Sequence, residues 1–261
     1  MTDTTSNHNR CRRTRAGLLR GHAGQAKGPL PRGIARTIKA ALAAAIVGLA
    51  AAQPAQAAEL RRLKIGVPDL EIFYYQGGVA NGDALRLQVE LAKLAPNKRV
   101  AILMNSVGGL SHEGIALGRL FYNAKIATFV LGNGGICMSA CGMAFLGGRD
   151  FVTGEPLRAI IQGGSLGFHQ FHTRFSPEQK FTKKDLEKSV ADVQKMVFDD
   201  LKYLKEINQD PRAYRLHISE PAESMLVISD SAALQNGFHA ISAETRTLIS
   251  PDTILGRMKA K

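Results

Sequence analysis

Ser139 stands in the run Gly134-Gly135-Ile136-Cys137-Met138-Ser139-Ala140-Cys141, where a strand pattern gives way to a helix pattern. A serine at a helix start sits beside unpaired N–H groups and the positive end of the helix dipole, both of which favour developing negative charge. A second glycine turn, Asn105-Ser106-Val107-Gly108-Gly109, follows an apolar run and precedes another helix pattern. Glycines there let backbone N–H groups turn toward a ligand. Acyl transfer needs a hydroxyl nucleophile, a base and backbone donors for an oxyanion. His169, in Gly167-Phe168-His169-Gln170, is the leading base, and His172 is a second candidate. By alternation His169 shares a face with Gly167 and Phe171 and opposes Phe168. Each piece alone has a plainer reading: the serine as a helix cap, the histidine as a hydrogen-bonded core or surface residue, the glycines as turns. The three in this order are what point to a hydrolase.

These residues need elements to hold them. Residues 63–67 and 71–75 read as strands, and 83–94 as a helix with Leu87, Leu91 and Leu94 on one side. Residues 99–104 form a continuous apolar run, the mark of a buried strand. The next helix carries Leu110, Gly114, Leu117 and Phe121 on one face, 125–131 is a strand, and a small-residue helix begins near Ser139. Residues 163–171 read as a short strand. A long helix runs from Thr182, where Thr182-x-x-Asp185 has the capping-box pattern, to about Asn208. Its stripe of Leu186, Val190, Val193, Val197, Leu201 and Leu204 reads as core, with a subunit contact as the other reading. A short helix over 229–236 closes on Gly237. Strand and helix in alternation predict one α/β domain over 58–261, a mostly parallel sheet covered by helices.

The charge of the 261-residue chain is concentrated at one end. Residues 1–57 hold nine basic residues against one acid, +8 of the total +12, which leaves +4 for 58–261. A basic stretch ending at Lys39, an apolar run over 40–52 and the Ala55-Gln56-Ala57 site are the parts of a secretory signal cleaved after Ala57. The apolar run is short for a membrane span, so an uncleaved anchor is the lesser alternative. Arg12-Arg13 lies too far from that run to act as a twin-arginine signal. The expected location is periplasmic or secreted, with the membrane met only during export. The remaining +4 does not support a nucleic-acid partner, and there is no tryptophan for base stacking. A hydrophobic fraction of 45% excludes wholesale disorder. Three cysteines fit neither a disulfide scaffold nor a four-ligand zinc site, and no metal or other cofactor is expected. Cys11 leaves with the signal. Cys137 and Cys141 bracket Ser139; four residues apart in a helix their Cα atoms would lie about 6 Å apart, compatible with a disulfide or with two buried thiols.

Four segments resemble the Clp protease proteolytic subunit and crotonase superfamily. Ile102 to Gly109 is similar to its x-x-x-N-S-P-G-G, with Val107 where the Clp subunit has proline. Cys137 to Leu146 resembles its nucleophile helix, A-A-S-M-G-A-F-L-L, and Gly167-Phe168-His169-Gln170 resembles its M-I-H-Q. Ile228 to Phe238 resembles its closing L-S-x-x-E-A-x-x-x-G-L. The Cys-x-Ser-Ala-Cys core behind a signal is more narrowly similar to bacterial periplasmic members of that superfamily. The resemblance covers about residues 70–240. It implies repeated β-β-α units, Ser139 as nucleophile, His169 as general base, and the N–H groups of Gly109 and Ala140 as oxyanion hole. The family's third member, an aspartate, lands near Pro221, which Glu220 and Glu223 flank; Glu223 is the first choice and Glu220 the other. The long helix matches the family's handle segment, which implies a homo-oligomer through residues 182–207.

The resemblance implies an exported serine hydrolase, a Clp-like peptidase taking peptide or ester substrates without metal or nucleotide. The alternative is an inactive binding or assembly protein on the same fold. Crotonase-type acyl-CoA chemistry conflicts with export. Gly164-Ser165-Leu166-Gly167 resembles the G-S-I-G of Ser-Lys signal-peptide peptidases, but no motif sets a lysine beside Ser139. His112 reads as an exposed helix-start residue, and nothing in the pattern ties His217 or His239 to the serine.

Overall fold

The computed structural model describes residues 58–251, apart from 65, 172–177, 179 and 210, and only the backbone of 211–214. The expected export segment with Cys11, and the second candidate base His172, lie outside the described residues. All described residues belong to one compact unit.

The strands are β1 (Glu59–Leu63), β2 (Leu70–Val79), β3 (Arg99–Gly109), β4 (Ala127–Val130), β5 (Ile136–Met138), β6 (Arg158–Ile161), β7 (Ser165–Phe168), β8 (Leu226–Ser229), β9 (His239–Ile241) and β10 (Leu248–Ile249). The helices are α1 (Asp83–Ala92), α2 (Ser111–Asn123), α3 (Ala140–Phe145), α4 (Lys183–Glu206), α5 (Pro211–Ser219) and α6 (Asp230–Ala233), the last running on as a 3-10 turn, Leu234–Asn236. The result is mixed α/β with a mostly parallel sheet. Among the described strands the antiparallel pairs are β1 on β2, β7 on β8 and β9 on β10.

The sheet divides at β3. This strand lies along β2 over its whole length. On its other edge, Ala101–Met104 pairs with β4, whereas Ser106 pairs with Cys137 of β5. One branch continues β4-β6-β9-β10, the other β5-β7-β8. The cause is local. After Leu131 donates to the Met104 carbonyl, the chain turns through Asn133 and Gly134, both at positive φ, and rejoins β3 further along. The expected 99–104 strand is therefore longer than its apolar run, because Asn105, Gly108 and Gly109 still pair with β2, and the Asn105 side chain donates to Tyr74 Oη at 3.2 Å.

Ile102, Met104, Leu117, Phe121, Phe145 and Phe238 are fully buried between sheet and helices. α2 buries Gly114, Leu117 and Phe121 as its period predicts, while Leu110 is half exposed. A methyl group on Gly114 would lie 2.3 Å from the Ala140 carbonyl oxygen, so the absent side chain is what lets α2 press on α3.

Some expectations fail for physical reasons. The first strand pairs over Glu59–Leu63, not 63–67, because Leu60 to Leu63 match the register of β2. Most of the stripe on α4 is not core: Leu186, Val190, Val197 and Leu201 are exposed and Val193 is half-buried, while its last member, Leu204, is buried with Asp200 and Tyr203. A 24-residue helix is about 36 Å long, and only its last turns reach the body of the fold. Its start is as predicted, with Thr182 and Asp185 capping each other reciprocally.

Candidate active site

β5 is only three residues long, but it is pinned on both sides, Ser106 to Cys137 and Met138 to Gly167. Asn105 fixes its start, accepting from the Ile136 N–H through Oδ1 at 3.2 Å. The strand then stops at Ser139, whose φ of 56° and ψ of −120° belong to no regular element, and α3 starts at the next residue. A non-glycine residue held there costs about 1–3 kcal/mol and persists only where its surroundings fix it. Here the Ser139 N–H donates to the Gly167 carbonyl at 2.8 Å and its carbonyl accepts from Met143 at 3.2 Å. A disulfide joins Cys137 to Cys141 across the turn, with both residues fully buried. Their Cα atoms are 5.2 Å apart, closer than two helical residues would be, because Cys137 lies on β5 and not in the helix. Gly108 packs directly below, and a methyl group on it would come within 2.4 Å of the Met138 carbonyl oxygen.

The sharp turn aims the Ser139 hydroxyl at the end of β7, where the chain delivers His169. Nε2 of that ring is 2.7 Å from Ser139 Oγ. Phe168 faces the opposite way and is buried, as the alternation predicts. Nδ1 lies 2.7 Å from the Gln170 carbonyl oxygen, so with a proton on Nδ1 the ring donates to that carbonyl and presents a lone pair to the serine. The two glutamates weighed as third member lie elsewhere. The Glu220 carboxylate accepts from Ser224 Oγ at 2.6 Å, and Glu223 is exposed. What Glu220 contributes is its backbone oxygen, which accepts from the Gln170 N–H at 3.1 Å. The Gln170 side chain donates to the Ile218 carbonyl at 2.9 Å.

The two glycine turns meet at the serine. The Gly108 N–H is taken by the Oγ of buried Ser106 at 3.1 Å. Ala140 is the first residue of α3, and the N–H groups of a first helical turn have no intrahelical acceptor. The Gly108 backbone and Ala140 N–H are adjacent, a methyl group on the former reaching within 3.2 Å of the latter.

His217, which the sequence pattern ties to nothing, belongs to the surroundings of this pair. It is buried on α5 with its ring 4.5 Å from that of Phe168, and its Nε2 has no hydrogen-bond partner among the described residues. Burial first, and the neighbouring His169 ring second, push its pKa down to about 3, so it is neutral. On the other side of α3, Tyr203 donates to the Met143 carbonyl at 2.9 Å and ties α4 to the helix that starts at the serine. Asp200, one turn earlier, is buried with Oδ1 unpartnered among the described residues, and burial pushes its carboxyl up to about 7. His112 is exposed and meets Asn81 at 2.8 Å; His239 lies on β9 against the Arg158 carbonyl. A groove of about 410 Å³ between α2 and α4 is lined by His112, Arg119, Met196 and Glu206, and by neither Ser139 nor His169.

Among the described residues no three His, Cys, Asp or Glu side chains are placed to hold a metal, and no helix is long and apolar enough to cross a membrane. No protein-family model matches the chain, and no curated protein is significantly similar to it.

Proposed function

We propose that this protein is an exported serine hydrolase of the Clp and crotonase type, acting on peptides or esters. The observation that carries the reading is a serine in a strained strand-to-helix turn with a histidine nitrogen 2.7 Å from its hydroxyl. In the reaction, Ser139 Oγ attacks the substrate carbonyl carbon while His169 Nε2 takes the hydroxyl proton. The carbonyl oxygen becomes an oxyanion between the Gly109 and Ala140 N–H groups. When the intermediate collapses, His169 returns the proton to the leaving amine or alcohol, and Ser139 carries the acyl group. Water, deprotonated by the same nitrogen, releases it. An exported enzyme has no ATP-driven unfoldase beside it, so short peptides and unfolded segments are the fitting substrates. The family's β-β-α repeat is consistent with β4-β5-α3, in which the helix starts directly after a strand that ends at the site; the preceding unit carries α1 between β2 and β3. The exposed stripe on α4 supports assembly with a second copy through that helix.

A second reading, a binding or assembly protein that keeps the fold without the chemistry, is favoured by Glu220 and Glu223, which turn to Ser224 and to solvent. A fluorophosphonate probe separates the two. The full chain is expected to label stoichiometrically, and Ser139→Ala and His169→Ala to lose labelling. A folded protein that does not label is a binding protein.

A further inference from the structure

We infer that Gln170 is the positioning residue that sets the ring tautomer of His169 through its carbonyl; this rests on the hydrolase reading above. A general base next to a serine must keep its proton on Nδ1 and its ring plane aimed at the hydroxyl. In a Ser-His-Asp triad the carboxylate does both. A peptide carbonyl can do both as well, provided that it cannot swing away. The Gln170 carbonyl meets Nδ1 at 2.7 Å. The residue carrying it is fixed at three points. Its N–H donates to the Glu220 carbonyl at 3.1 Å, and its Nε2 donates to the Ile218 carbonyl at 2.9 Å. Phe171, which shares the peptide plane of that carbonyl, packs against the hydrophobic core.

The two carbonyls that hold Gln170 come from the last turn of α5 and the residue that follows it. α5 itself is seated by buried Leu216 and His217, the latter against Phe168 of the strand that delivers His169. The histidine is therefore clamped from both sides by one segment, His217–Glu220. Gln170 is exposed. An exposed glutamine adds little to fold stability, yet both of its donor groups, backbone and side chain, point into this clamp. Stability does not account for that arrangement, whereas positioning does. A one-ångström misplacement of a catalytic group can cost about 10²-fold in rate.

The test uses the full chain and two near-isosteric variants without the side-chain donor, Gln170→Met and Gln170→Glu. Three quantities are read: the maximal rate of fluorophosphonate labelling, the probe concentration at half that rate, and the His169 ring tautomer from its nitrogen–proton NMR signals, assigned by their loss in His169→Gln. The expected result is a roughly 10²-fold lower maximal rate in both variants. The half-saturating concentration should stay within about twofold and the melting temperature should not move. The Nδ1–H signal of the wild type should give way to a mixture of tautomers. Variants that label at the wild-type rate and keep a pure Nδ1–H ring overturn the inference. A wild type that does not label, but whose Nδ1–H ring is lost in Gln170→Met, overturns the hydrolase reading and still supports Gln170 as the residue that sets the ring.

Discussion

Ser139 occupies a backbone conformation that glycine would hold without strain. Replacing it therefore separates chemistry from stability. Ser139→Gly should unfold about 1 kcal/mol later than Ser139→Ala, since both lack the hydroxyl and only the alanine keeps the strained backbone; paired denaturant titrations measure this. If the glycine variant is the less stable of the two, the turn is not strained. The serine, the histidine and both glycine turns were legible in the sequence, because each combines an unusual residue type with a break in periodicity. The tasks of Gln170, His217 and Ser106 were not. Their roles depend on which N–H, carbonyl or ring folds back against them from 2 to 50 residues away, and local pattern carries no such information. The glutamates mislead for the same reason: nearness to Pro221 in sequence does not orient a carboxylate.

The turn at Ser139 is a strand end, one residue and a helix start, clipped by a disulfide around a five-residue loop. Closing so short a loop is worth about 2 kcal/mol on the chain-entropy estimate. Reduction under native conditions should lower stability by about that amount, and should slow probe labelling because Ser139 loses one of the constraints on its backbone. A labelling rate that survives full reduction would assign that constraint to Gly108 and the strands alone. Gly108 and Gly134 give a second comparison. Both have positive φ, but a methyl group at 134 meets nothing within 4 Å, whereas at 108 it strikes the Met138 carbonyl. Gly134→Ala should cost about 1 kcal/mol, and Gly108→Ala roughly 3 kcal/mol or more with loss of labelling. The long helices and the buried strand were readable from period and length. β6, β8, β9 and β10, at two to four residues each, span too little of a period to register. α4 fails in the opposite way, since its stripe is real but Leu186, Val190, Val197 and Leu201 stay exposed.

Two buried groups set how the folded protein responds to pH, and they act in opposite directions. Asp200 titrates near 7 when folded and 3.8 ordinarily, so its contribution is full below 3.8 and is lost as pH rises to 7. His217 titrates near 3 when folded and 6.5 ordinarily, so its contribution is full above 6.5 and is lost as pH falls to 3. Between about pH 4 and 6.5 the two slopes, each about 1.4 kcal/mol per pH unit at most, oppose each other. Wild-type stability should be nearly flat there on their account. Asp200→Asn should make it fall toward acid, and His217→Gln should make it fall toward neutrality, as melting at half-unit pH intervals would record. Identical profiles for all three proteins would mean that neither group is as buried as described. The exposed face of α4 predicts self-association that Val190→Glu with Phe198→Glu abolishes, read by sedimentation. The division of the sheet at β3 has a consequence for durability. Ser139 and His169 both hang on the β5-β7-β8 branch, which among the described residues joins β3 through the Ser106–Cys137 pair and the Ile136 N–H to Asn105 Oδ1 bond, against four register pairs between β3 and β4. That branch can open while the wider one, β4-β6-β9-β10, stays closed. Amide hydrogens of β5 and β7 should then exchange sooner than those of β3 and β4. On gentle heating the contact between Ser139 and His169 would be lost while most of the backbone was still folded, so that the lifetime of the site would be set by a local opening and not by the melting point.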